Sequence, residues 1–463
     1  MTYPSLEYAP LGMDYQTKKL FDKPISENDL ISKLLDSGKG LIAKGGPTDF
    51  DIVRSISITQ KIIWSFIVHA NDPNKYEIID IVKKLGKFHE MDSPDEPLEF
   101  DADNEFEWHH WIRRNYNNGF TPKTRPNHIL IVGTPEQIPF GFQSRLSKKP
   151  RVGRVCFDSL DDLENYVDKV IRMSEEPPSG LKRHSSFFAT NYGKMEDGTY
   201  DVTQYSYNEL VTPLKQFLEG EKIPVDITRI EEMKKKPMLN KLESNQSALV
   251  FFAGHGIGNV PKDKQLQLQG AFCCQDWIET KNDSELFSAF DVPDDEPFLE
   301  GAMVINFSCF GYGTPKLDDI VNFSFDGNRI RNSLSDESFV AALPKKLIAH
   351  PKGPLGYIGH ANSLYLSGFY NLDTSIPDDL KRDISPFESI FDYLFQNNTL
   401  GNSIEDMNDN AAMESDRFSD AILRFQGGDK NRETKLEIVN SFFQSHDFDN
   451  YLIFGDPAIR LNI

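Results

Sequence analysis

The chain carries several apolar runs that do not alternate with polar residues. Ser247–Gly256 reads SALVFFAGHG, and Gly301–Gly311 reads GAMVINFSCFG. Runs of this length, closed by glycine, predict strands buried on both faces. The same pattern predicts strands at 61–70 (KIIWSFIVHA), 128–133 (HILIVG) and 152–157. Helical spacing appears at 75–90 and at 161–173. In the second, Asp161 and Asp162 crowd the first turn, and Leu163, Tyr166, Val167 and Val170 form one stripe. Ser26–Leu35 reads as a capped helix. TPEQIPFGFQ follows residue 133, and its two prolines argue against helix or central strand there.

Beyond SEEPPSG at 174–180, a linker by its proline, serine and glycine, strands and helices alternate. Strands are expected at 185–190, 225–230, 248–254, 302–308, 355–360 and 451–454. Helices are expected at 206–219, 336–349, 385–396, 403–426 and 434–445. Such alternation implies βαβ units and a parallel sheet with helices on its faces. The expected division is an α/β subdomain at 1–180 and a second at 181–463, with no tandem repeat of 20–50 residues.

The length of 463 residues suits two or three domains of about 150 residues each. The net charge of −21 would repel nucleic acid and anionic membrane, so neither is an expected partner. Acidic clusters such as DVPDDEP at 291–297 read as solvated loops. No apolar run is long enough for a membrane span. The first residues lack a basic start with an apolar core, so no signal peptide is expected. Four cysteines, Cys156, Cys273, Cys274 and Cys309, have no zinc-site spacing. A reducing cytoplasm is the expected setting, with no metal or cofactor.

Two residues stand out as chemistry. His255 and Cys309 each follow the carboxyl end of a predicted strand, the edge where open α/β sheets bind ligands. A Cys and a His there make a candidate nucleophile and base. The bland alternatives are a buried structural Cys and a turn His. The glycines around His255 would leave it exposed and mobile, and FGYG after Cys309 would let the backbone turn sharply. The N–H groups of Gly256 and Cys309 could form an oxyanion hole.

LVFFAGHG and INFSCFGYGTP resemble the motifs of caspase-fold cysteine peptidases, nearest the gingipain-like and CHAT-domain proteases. HILIVGTPEQIPFGFQ, VGRVCFDSLDDLENYVDKVI, FVAALPKKLIAHPKGPLGYIGHAN and YLIFGDPAIRL support the likeness from about residue 128 onward. His255 precedes Cys309 by roughly the 50 residues typical of caspases. The resemblance implies a caspase-like, parallel-rich sheet flanked by helices, with His after its third strand and Cys after its fourth. A related α/β subdomain lacking the dyad would precede it. It also implies an acid orienting the His, for which Glu196 and Asp197 are candidates, and a substrate cleft bordered by His360, Ala361 and Asn362. Asp318 is a candidate for a pocket favouring Lys or Arg. Apolar residues near Phe310 and Tyr312 would instead suit Leu. Lys316–Ser338 is expected to be a long regulatory loop.

The expected function is a cysteine endopeptidase with a Cys-His dyad acting on one protein target. The CHAT likeness implies a bacterial defence protease activating a gasdermin-like pore former, with a regulatory partner as a further expectation. The alternatives are a silent caspase-fold scaffold, a general degradative peptidase, and an amidase or acyltransferase.

Overall fold

The computed structural model describes residues 10–20, 61–195, 200–323, 329–370 and 381–463. The helix expected at Ser26–Leu35 lies outside them. Ten strands form the central sheet: β1 (Trp64–His69), β2 (Leu98–Phe100), β3 (His128–Val132), β4 (Arg151–Val155), β5 (Lys182–Ala189), β6 (Val225–Ile227), β7 (Ser247–Ala253), β8 (Met303–Phe307), β9 (Gly356–His360) and β10 (Tyr451–Phe454). The apolar runs explain them. Every residue of β3, β7 and β8 is buried, as expected of strands covered on both faces.

Across the sheet the order is β2-β1-β3-β4-β10-β9-β8-β7-β5-β6. Every neighbouring pair is parallel except β9 with β10. The sheet therefore consists of two parallel halves running in opposite directions. Strands before residue 181 lie in one half and β5–β9 in the other. β10, late in the chain, joins the early strands, and the ladder is continuous across residue 181. The fold is the expected caspase-like, parallel-rich sheet flanked by helices. The antiparallel setting of β10 departs from a chain of simple βαβ units. An apolar run by itself carries no direction.

Helices cover both faces. Leu160–Glu175 is capped by the Ser159 side chain, which accepts from Asp162 N–H, and it buries the expected stripe together with Met173. Its Lys169 is also buried, with Nζ donating to the carbonyls of Ile348 (2.6 Å), His350 (2.9 Å) and Pro354 (2.8 Å). Glu405–Gln426 and Arg432–Asp449 pack against each other around Phe418, Ile422, Val439 and Phe443.

Two local expectations change. A helix, Phe140–Leu146, starts directly after Pro139. Proline is tolerated there because the first helical N–H groups lack partners in any case. Lys316–Ser338 is not a structureless loop. Leu317–Phe323 pairs with Arg329–Ser333 in an antiparallel hairpin.

Candidate active site

Ala253 and Phe307 are paired at the ends of β7 and β8. His255 and Cys309 each follow two residues later, so register alone sets them side by side. Gly254 and Gly256 do not serve mobility. His255 is fully buried. A Cβ on Gly254 would meet Thr190 Oγ1 at 2.3 Å, and one on Gly256 would meet the Cys309 carbonyl at 1.9 Å. Both glycines are required for close approach. The sharp turn after Cys309 is made by Phe310, at φ +56°, and not by a glycine. A bulky left-handed residue is strained, and such strain concentrates at functional sites. Phe310 N–H donating to the Asn362 carbonyl (2.8 Å) helps hold it.

His255 is oriented from a third strand end. Its Nε2 lies 2.9 Å from Asp201 Oδ1 and 3.1 Å from Oδ2. Asp201 lies in the segment after β5, where its N–H donates to the Gly193 carbonyl (2.9 Å). It caps the helical turn Val202–Tyr205 by accepting from Thr203 N–H (2.8 Å). Burial alone would raise its pKa. The facing His255 and the hydrogen bonds from His255 and Thr203 outweigh burial and hold the carboxyl below its usual range. The carboxylate accepts, so Nε2 carries the proton and Nδ1 is the basic nitrogen. Nδ1 is buried with no hydrogen-bond partner among the described residues. The Tyr192 ring stacks on the imidazole, with centroids 5.5 Å apart.

Glu196 and Asp197 lie outside the described residues, and the carboxylate that meets His255 is Asp201. The sequence held one signal for it. An Asp two residues before a Thr, at the start of a helical stretch, is an N-cap pattern.

A short strand, Gly12–Asp14, pairs in parallel with Gly256–Gly258, at the edge of a small sheet completed by Phe272–Cys273 and Leu286–Phe287. This brings Leu11 into the site. The N–H groups of Gly256 (3.2 Å) and Cys309 (3.3 Å) both donate to the Leu11 carbonyl. Leu11 N–H donates to the Leu364 carbonyl (2.7 Å). Leu364 N–H in turn donates to Cys309 Sγ (3.0 Å). Nothing in the sequence reading pointed to residues 11–14. A three-residue strand paired some 240 positions away leaves no local period.

His360, Ala361 and Asn362, expected to border a cleft, are buried next to the Cys309 turn. His360 is fully buried, its Nδ1 on the Asn362 carbonyl (2.9 Å) and its ring against Tyr451. Burial pushes its pKa down to about 3. Ala361 N–H donates to the Asn450 carbonyl, and Asn362 supports Phe310. These residues brace the Cys309 turn, and Leu364 N–H reaches the Cys309 sulfur itself. Asp318 is buried at the root of the hairpin. Among the described residues, His360, His446 and Asp447 form a group with metal-ligand spacing, their ligand atoms within 4.8 Å of one another. His446 Nε2 donates to the Ser363 carbonyl (2.9 Å), and Asp447 accepts from Tyr365 N–H (3.0 Å) and Gly368 N–H (3.2 Å). These bonds fit a brace for residues 363–368.

Among the other three cysteines, burial pushes the Cys156 thiol up to about 11 and raises those of Cys273 and Cys274. Raised thiols are poor nucleophiles.

Residues 107–462 match peptidase family C25. The chain belongs to this family, the cysteine peptidases of the gingipain type. Among solved structures it is similar to the Arg-specific cysteine proteinase gingipain R, at 13% identity and a TM-score of 0.47, over 87% of this chain and 79% of that one. It is also similar to the complex of pro- and mature domains of RgpB from Porphyromonas gingivalis, at 12% identity and a TM-score of 0.49, over 86% and 79%. No functionally curated protein matches it in sequence at a significant level. No helix among the described residues is long and apolar enough to cross a membrane.

Proposed function

We propose that the chain is a cysteine endopeptidase in which Cys309 is the nucleophile, His255 the acid and base, and Asp201 the group that orients His255. One observation carries the reading. Two backbone N–H groups, from Gly256 and Cys309, converge on a single carbonyl oxygen beside the Cys309 sulfur. That is the arrangement that stabilises the oxyanion of a tetrahedral intermediate. Cys309 attacks the peptide carbonyl carbon, and the oxygen gathers charge between the two donors. His255 Nδ1 takes the Cys309 thiol proton as the sulfur attacks, delivers it to the leaving amine, then takes one from the water that hydrolyses the thioester and returns it to the sulfur. The Asp201 carboxylate holds the ring in the tautomer this requires.

The test is peptide hydrolysis, with an electrophilic thiol probe, by the wild type, Cys309→Ala, His255→Ala and the double variant. Each single substitution is expected to lower turnover by roughly a thousandfold or more, and the double variant to be no worse, because the residues act in one step. Labelling of Cys309 without turnover of any peptide would instead support a silent scaffold. A proteome-derived peptide library decides whether cleavage is confined to one target, such as a gasdermin-like pore former, or is broad.

A further inference from the structure

Residues 10–20 enter the cleft in the register of a substrate. The Leu11 carbonyl occupies the point where the Gly256 and Cys309 N–H groups converge. A methyl placed on Gly12 would come within 3.0 Å of Cys309 Sγ. The bond between these residues is therefore the one presented to the nucleophile. We propose that the site accepts a Leu-type side chain before the scissile bond and Gly after it, and that the chain's own Leu11–Gly12 bond is such a substrate. This rests on the peptidase reading above.

Three observations support the assignment. The Leu11 side chain is fully buried, in the same hydrophobic cluster as Phe310, Tyr312, Ala361 and Leu364. A fully buried side chain at this position fits Leu and not a cation. Between the two pockets considered from sequence, this favours the apolar one over Asp318. Next, Leu11 N–H donates to the Leu364 carbonyl, while Leu364 N–H donates to Cys309 Sγ, so one residue positions both the bond and the sulfur. Finally, the far side is tied down. Asp14 accepts from Gln16 N–H (2.8 Å), Thr17 N–H (2.7 Å) and Asn259 Nδ2 (2.7 Å), and Tyr15 OH donates to Asp283 Oδ2 (2.7 Å).

In the reaction, Cys309 Sγ bonds to the Leu11 carbonyl carbon and the bond to Gly12 N breaks. His255 Nδ1 takes the Cys309 thiol proton and passes it to the Gly12 amine. Water then hydrolyses the thioester, giving the Leu11 carboxylate and the free thiol. Gly12 and the residues after it stay paired to Gly256–Gly258. Residues 1–11 leave, and the aliphatic pocket and the oxyanion point open to other chains.

The test is the intact mass and amino-terminal sequence of the full chain, for the wild type, Cys309→Ala and Leu11→Asp. It is run beside hydrolysis of a separate fluorogenic peptide ending in Pro-Leu. We expect wild type beginning at Gly12, Cys309→Ala and Leu11→Asp uncut at that bond, and a Leu peptide preferred over its Ala counterpart by roughly 10- to 100-fold. Wild type that stays intact yet hydrolyses the Leu peptide would overturn self-cleavage and leave the peptidase reading standing. Wild type inert towards both would overturn the two together. Self-cleavage at another bond, or unaltered cleavage of Leu11→Asp, would overturn the pocket assignment.

Discussion

Gly256 and Cys309 lie back to back. A Cβ on Gly256 would fall 1.9 Å from the Cys309 carbonyl oxygen and 3.2 Å from its nitrogen. The two N–H groups that meet on one oxygen are thus aligned by contact between their own backbones. Gly256→Ala must push them apart. It is expected to lower kcat/KM on a Leu peptide by at least about 10²-fold, the effect of losing one oxyanion donor. Activity within a few fold of wild type would show that the two groups are not the oxyanion site.

Asp201→Asn keeps an oxygen that can cap Val202–Tyr205, since Asn and Asp cap about equally well. It removes the carboxylate that sets the His255 tautomer. The expected loss is on the order of 10²–10⁴ in kcat, by analogy with the serine-protease triad, while Tm stays within a few degrees of wild type. An unchanged kcat would assign Asp201 to capping alone.

Acid should weaken the fold before it strips the carboxylates. Burial lowers the pKa of both His128 and His360 to about 3. In the unfolded chain they titrate near 6.5. Between these values the unfolded state binds more protons, so stability falls as pH falls below about 6.5. Each residue is expected to subtract roughly 2 kcal/mol by pH 5 relative to pH 7. Urea midpoints at the two pH values measure this, and equal midpoints would contradict it. Asp201, held low, adds stability that is lost only below about pH 4.

Lys169→Met should leave the carbonyls of Ile348, His350 and Pro354 without their donor. Burial lowers the Lys169 pKa well below the usual range, yet three acceptors hold its Nζ. The expected destabilisation is roughly 3–5 kcal/mol by denaturant titration, because buried acceptors lose a shared partner. A loss under about 1 kcal/mol would mean that water replaces the ammonium.

Much of this architecture was legible because buried strands leave uninterrupted apolar runs. β7 and β8 were visible with His255 and Cys309 at their ends, and their register could be tested only in three dimensions. Asp201 was obscured by other acids in the same segment, since pairing with His255 depends on a non-local bond, Asp201 N–H to the Gly193 carbonyl, that no local pattern encodes. Pro139 was misjudged because proline forbids a helix interior but suits a helix start. The direction of β10 and the seating of Leu11 depend on partners distant in sequence, which no local pattern encodes.

The position of β10 bears on how the protein is made. Tyr451–Phe454 stands between β4 and β9, whose residues leave the ribosome far earlier. The two halves of the sheet can each begin to order during synthesis, but the seam between them stays open until this late strand emerges. Closing it pairs residues about 300 positions apart, a non-local and therefore slow event. A chain shortened before Tyr451 would expose the edges of β4 and β9, and with them an invitation to pair with other copies.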